Sequence, residues 1–232
     1  MYVTGKNVAK EVLKSNIKIY KALILNDFND KNIIFDLQKR NIEIKRLSKF
    51  ELSKVDDSNN QGIILDIENF KYSDIDELLV NEKPFIVILD HLEDPHNFGA
   101  IIRTCETAGV DGIIITKDRS VEVNGTVVKT SAGAVTNMKI CSVTNLNNTI
   151  EYLKKKGLWI IGTDMENSTN YNNLDYNMPL ALVIGSEGFG MSRLVKESCD
   201  FIINIPMKGK INSLNASVAA GIVIYKIIEK RL

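Results

Sequence analysis

Apolar residues recur along this chain in two alternating rhythms, one helical and one strand-like. After Thr4-Gly5-Lys6-Asn7, the residues Val8, Val12 and Leu13 fall at helical spacing and predict a helix starting there. A short strand is expected over 22–25, a helix over 31–40 ending before Asn41, and a strand over 42–47 in which Ile42 and Ile44 alternate with Glu43 and Lys45. Ser48 with Glu51 three residues on is a capping-box signature that opens another short helix. Residues 62–67 close this region as a strand. The charged, weakly patterned residues 71–83 read as a linker.

From residue 84 the pattern strengthens. Residues 85–89 form a continuous apolar run of strand length, as expected in a parallel sheet covered on both faces. Strands are also expected over 112–116, 140–143, 158–163, 180–185 and 201–205, and helices over 97–108, 126–134, 146–156, 192–198 and 214–231. Strand alternating with helix predicts an α/β fold with a parallel sheet over 84–232, preceded by a small α/β domain over 1–70.

Composition changes this picture little. With 44% hydrophobic and 25% charged residues, the 232-residue chain has an ordinary soluble globular composition. No apolar run approaches the roughly 20 residues of a membrane span, and the first residues lack the features of a secretory signal, so a cytoplasmic location is expected. Basic and acidic side chains balance at 29 each, so net charge gives no hint of a polyanionic partner, although Lys39-Arg40, Lys45-Arg46 and Lys49 form local basic patches. Cys105, Cys141 and Cys199 are scattered with no C-x-x-C pair, which argues against disulfides and structural zinc. His91 and His96 read as loop residues near a substrate, and no metal is expected.

Three clusters look chemical, each at a strand-to-helix junction where open α/β sheets place ligands. The first runs from Asp90 to Gly99 and includes Asn97, with Arg103 in the helix that follows. A guanidinium fork near a helix start suits a phosphate, and a polar loop with Arg103 salt-bridged to a neighbour is the plainer reading. The second is Gly185-Ser186-Glu187-Gly188-Phe189-Gly190. Its glycines are out of order for a dinucleotide loop, and it has no P-loop lysine. Glu187 would repel a pyrophosphate, so either a phosphate-free ligand or a simple tight turn fits. The third joins Ile205-Pro206-Met207 to Ser213-Leu214-Asn215-Ala216-Ser217. Ser213 or Asn212 can cap the last helix, and Asn215, a poor helix former within its first turn, suggests another task.

In this order and spacing, Asn97…Arg103, Gly185-Ser186-Glu187-Gly188-x-Gly190 and Ile205-Pro206-Met207…Ser213-Leu214-Asn215-Ala216-Ser217 resemble the three motifs of the SpoU–TrmH branch of SPOUT RNA methyltransferases. Residues 1–70, with Gly5 and Gln61-Gly62-Ile63, resemble the small RNA-binding domain of RlmB-like members. The resemblance implies a deep trefoil knot in the C-terminal domain, an exception to the usual absence of knots. It also implies a homodimer with the last helix and the first-motif loop at the interface. The methyl donor S-adenosyl-methionine would sit bent in the knot against Gly185, Ile205 and Leu214, with Thr163 and Met207 as neighbours. Arg103 is implied as catalytic, and a guanidinium, which scarcely gives up its proton in proteins, suits a phosphate clamp and alkoxide stabiliser better than a base. Asn97 and Glu187 would orient Arg103 and the loop, Asn215 would position by hydrogen bonding, and Ser213 matches a further active-site position. The implied reaction is 2′-O-methylation of a ribose in RNA, such as a guanosine of 23S ribosomal RNA. A tRNA target, a non-catalytic RNA-binding or ribosome-assembly protein of this fold, and a nucleotide-dependent α/β enzyme are the alternatives.

Overall fold

A computed structural model of the chain describes residues 1–57, 59–210 and 213–232. The first strands and helices are β1 (Tyr2–Thr4), α1 (Lys6–Lys14), β2 (Ile19–Leu25), α2 (Lys31–Lys39), β3 (Glu43–Leu47), α3 (Lys49–Val55) and β4 (Ile63–Ile67). Then come β5 (Phe85–Asp90), α4 (Pro95–Thr107), β6 (Gly112–Thr116), α5 (Gly125–Thr130), β7 (Ile140–Val143) and α6 (Leu146–Lys155). The chain continues through β8 (Trp159–Thr163), β9 (Thr169–Asn170), β10 (Leu180–Gly185), α7 (Arg193–Glu197), β11 (Phe201–Asn204) and α8 (Ala216–Arg231). Two compact units result: Met1–Lys71 with Val123–Asn137, and Tyr72–Glu122 with Met138–Leu232.

In the first unit the strands run in the order β1-β4-β2-β3, with β2 parallel to β3 and β4 antiparallel to both its neighbours. Helix α1 buries Val8, Ala9, Val12 and Leu13, the face its spacing predicted. The capping box forms: Glu51 N donates to Ser48 Oγ (3.3 Å) and Ser48 N donates to Glu51 Oε2 (2.9 Å). Two cations of the basic patches are committed to the main chain. Arg40 donates to the carbonyls of Val12, Leu13, Ser15 and Ile17, and Arg46 to those of Leu25, Asn26 and Phe28. Helix α5, capped by Asn124, belongs to this unit, and a Cβ on Gly125 would collide with the Tyr2 carbonyl. The helix expected over 126–134 stops early because Ala132 (φ 53°) and Gly133 (φ 88°) turn left-handed.

The second unit is a seven-stranded sheet, β7-β6-β5-β10-β8-β11-β9, parallel at every pairing. All six residues of β5 are buried, as are Leu180–Ile184 of β10, which explains their unbroken apolar runs. Ile75–Leu78 make one 3₁₀ turn, and Leu78 is fully buried against Ile86, Ile88 and Ile114. Its acidic neighbours Asp74, Asp76 and Glu77 conceal that single anchor from any periodicity. Helix α8 starts at Ala216 rather than 214, because Asn215 is its cap: Asn215 Oδ1 accepts from Ser217 N and Val218 N. Ser213 therefore precedes the cap, and Asn212 lies outside the described residues.

The sheet order places the site. The chain leaves β5 toward β6 on one side and leaves β10 toward β11 on the other. Beyond the carboxyl ends of this adjacent pair the loops diverge, which is where open α/β sheets form a crevice. Among the described residues, no helix is long and apolar enough to cross a membrane.

Candidate active site

At the carboxyl end of β5, Asp90 is paired in register with Gly185 of β10 and is 1% exposed. One of its oxygens lies 2.5 Å from His91 Nδ1, and the other accepts from Ser192 N at 2.6 Å. Burying a carboxylate requires such partners. Here they pin the far side of the glycine-rich turn to the end of β5. That turn closes on itself through Ser186 N to Gly190 O and Gly190 N to Ser186 O, both 3.0 Å. Gly188 (φ 85°) and Gly190 (φ 68°) supply the left-handed steps, and a Cβ on Gly185 would collide with the Gly190–Met191 backbone.

The closed turn presents Glu187 to two asparagines. Asn97, in the first turns of α4 and 6% exposed, donates from Nδ2 to Glu187 Oε1 at 2.8 Å. Asn215 donates from Nδ2 to the same oxygen at 2.6 Å and to Asn97 Oδ1 at 3.0 Å. The Ala216 amide also points at Glu187 Oε1, at 3.3 Å, so the carboxylate sits on the N-terminus of α8. Asn215 thus works with both ends of its amide: the oxygen caps α8 and the nitrogen joins the other two segments. The helix-cap position explains why a poor helix former stands there.

The other expected site residues surround this network unevenly. Thr163 ends β8 in register with Ile203 of β11, and its hydroxyl donates to Val183 O at 3.1 Å. Ile205 and Met207, just past β11, are half-buried, while Ser213 and Leu214 are exposed ahead of the α8 cap. Arg103 does not join the network. It is exposed nearly two turns further along α4 than Asn97, and among the described residues its guanidinium has no partner. Asn97 and Glu187 therefore do not orient Arg103 within one chain, because their hydrogen bonds are used between the turn and α8. Asp90 opens the first cluster in the sequence but was given no role there, although an acid closing the apolar run of β5 is a visible signal. Among the described residues, no group of three His, Cys, Asp or Glu is placed to hold a metal.

Comparison with known proteins covers both units. The family model described as "SpoU rRNA Methylase family" matches residues 84–225, and one described as "RNA 2'-O ribose methyltransferase substrate binding" matches residues 2–73. A Bacillus subtilis relative named "Putative TrmH family tRNA/rRNA methyltransferase YacO" is 44% identical over 99% of this chain and 96% of its own length. A Staphylococcus saprophyticus relative of the same family description is 47% identical over 99% of this chain and 95% of its own. Among solved structures, the SpoU methyltransferase AviRb from Streptomyces viridochromogenes, crystallised with AdoMet, shares the fold with a TM-score of 0.88 at 22% identity, covering 100% of this chain and 90% of that one.

Proposed function

The chain belongs to the SpoU rRNA methylase family of RNA methyltransferases, and on that premise we propose that it moves a methyl group from S-adenosyl-methionine to a ribose 2′-hydroxyl. The proposed target is a guanosine of 23S ribosomal RNA in the cytoplasm. The observation that carries this reading is the Asn97–Glu187–Asn215 network, which ties all three motif segments together beyond β5 and β10.

The lining suits this donor. Ile205, Met207 and Leu214 offer apolar surface near the carboxyl ends of the strands, Gly185 offers backbone without a side chain, and Glu187 disfavours a phosphate-bearing ligand. When bound, S-adenosyl-methionine supplies a methyl group already activated on its sulfonium. What the chain must add is orientation and proton handling at a poorly nucleophilic hydroxyl. Asn97 and Asn215 hold the Glu187 turn in one conformation, so the wall of the donor pocket is preset. Ser213 borders the same opening. Arg103 clamps the target phosphate and stabilises the developing alkoxide electrostatically, since a guanidinium does not give up its proton.

Because Arg103 stands apart from its own chain's network, the proposed enzyme is a homodimer in which a second copy brings the two together. The exposed apolar residues Val218, Ile222 and Tyr225, at helical spacing on α8, support a face for that copy. Residues 84–232 are proposed to carry the trefoil knot and the chemistry, and residues 1–70 to bind RNA. A tRNA target is the second reading, favoured by the names of the curated relatives, which cover both RNAs. The test is methyl transfer from tritiated S-adenosyl-methionine to unmodified ribosomal RNA and tRNA transcripts, with calorimetry of S-adenosyl-methionine, NAD and ATP alongside. Label on ribosomal RNA with donor binding is the expected result. Binding of NAD or ATP in place of the donor would overturn the reading.

A further inference from the structure

The chain has six arginines, at 40, 46, 103, 119, 193 and 231. Arg40, Arg46 and Arg231 are committed to main-chain carbonyls, and Arg193 faces Glu197 across 3.7 Å. Arg103 and Arg119 remain, and among the described residues neither guanidinium has a partner. Both follow adjacent parallel strands of the second unit: Arg103 lies on the helix after β5, and Arg119 in the loop after β6.

The loop that carries Arg119 is held in place. Thr116 Oγ1 donates to Asp118 O at 2.9 Å, Lys117 N to Val143 O at 2.8 Å, Ser120 Oγ to Leu92 O at 3.3 Å and Val121 N to Leu92 O at 2.9 Å. The last two bonds fasten it to the loop after β5, next to the Asp90–His91 pair that borders the candidate site. Arg119 itself sits at φ 51°, a left-handed conformation that non-glycine residues adopt only where their surroundings dictate it. Its side chain is exposed, and neither Asp118 nor Glu122 forms an ion pair with it. A protein of zero net charge has no bulk field to gather a polyanion, so it depends on individually placed cations. β6 and β10 flank β5, so the strands that lead into the Arg119 loop and the Glu187 turn lie about 10 Å apart, two strand spacings, at the same edge of the sheet.

We propose that Arg119 is a second RNA-contacting arginine, one that grips a backbone phosphodiester of the substrate beside the target nucleotide. An exposed guanidinium fork with no internal partner, carried on an anchored loop, is free for bidentate phosphate recognition. The role is positioning: Arg119 sets how tightly and in what register RNA lies across the carboxyl edge, and takes no part in methyl transfer.

This inference rests on RNA being the substrate, and its test separates the two. Filter binding as a function of salt is measured for wild type, Arg119→Ala and Arg119→Lys with unmodified 23S ribosomal RNA and tRNA transcripts, using whichever binds wild type more tightly. Turnover and calorimetric donor affinity are measured in parallel, and thermal melts confirm folding. Arg119→Ala is expected to weaken RNA binding about 5- to 10-fold and to reduce the salt slope by roughly one phosphate contact. KM for RNA should rise, with kcat and donor affinity within about twofold, and Arg119→Lys should recover part of the affinity. A folded Arg119→Ala with wild-type affinity and salt slope would overturn the proposal. RNA binding that depends on Arg119 in a wild type that transfers no methyl would instead sink the methyltransferase reading and leave this one standing.

Discussion

The two ends of α8 are both fastened by side chains, yet they are built differently. At its C-terminal end Arg231 donates to the carbonyls of Tyr176 (3.0 Å), Lys83 (3.2 Å) and Met178 (2.5 Å) and stacks over Phe85 at 5.2 Å. Burial lowers the pKa of this guanidinium from its ordinary value, and the carbonyls and the ring offset the cost of taking it out of water. At the N-terminal end Asn215 bonds to side chains from two other segments, in a setting where Asn215 and Glu187 are both exposed. The first end joins a helix to fixed backbone. The second aligns three segments around an opening. Stability should therefore reside in Arg231, and function in the Asn97–Glu187–Asn215 network together with the unpaired Arg103.

That contrast can be broken by measurement, beginning with the largest effect. Arg103→Ala should lower turnover by about 10²–10³-fold or more while donor affinity, measured by calorimetry, stays within a few fold. Near-normal turnover would remove Arg103 from the mechanism. Asn215→Ala and Asn97→Ala should each slow methyl transfer about 10²-fold by letting the Glu187 turn drift, and rates matching wild type would mean the network is only structural. Arg231→Ala should reverse the pattern. It leaves three carbonyls without their charged donor, at a cost of about 2–3 kcal/mol, or roughly 5–10 °C of melting temperature at this size, with the kcat of the folded protein unchanged. Ser48→Ala, in the first unit, should cost about 1 kcal/mol through its lost cap and leave kcat alone. In wild type the Ser48 side chain and backbone hold the Glu51 carboxyl below its ordinary pKa. The stabilisation from that pair is therefore present at neutral pH and declines as acid protonates Glu51, a trend that melts from neutral to acid pH would follow and that Ser48→Ala should flatten.

What the sequence revealed follows how local each signal is. The Ser48 box, the apolar runs of β5 and β10 and the glycine-bearing turn each arise within a few residues, and all were readable. β1 was not, because Tyr2–Thr4 becomes a strand only by pairing with Ile64–Asp66 far along the chain. The burial of Leu78 was not readable either, because acidic neighbours surround this single apolar anchor. Asn215 was singled out correctly as anomalous, but its cap position depended on where α8 begins. Arg40 and Arg46 stand in the basic patches of the sequence, and Arg231 gives no signal there. Only three-dimensional placement reveals that carbonyls consume them, and the same placement isolates Arg103 from Asn97 despite their shared helix.

The most direct test of the account is a map of ribose 2′-O-methyl positions, read by resistance to alkaline cleavage, across the RNA of cells with and without this gene. The account predicts that one guanosine of 23S ribosomal RNA loses its mark in the deletion and regains it with the wild-type chain but not with Arg103→Ala. An unchanged map of ribosomal RNA and tRNA in the deletion strain would contradict it.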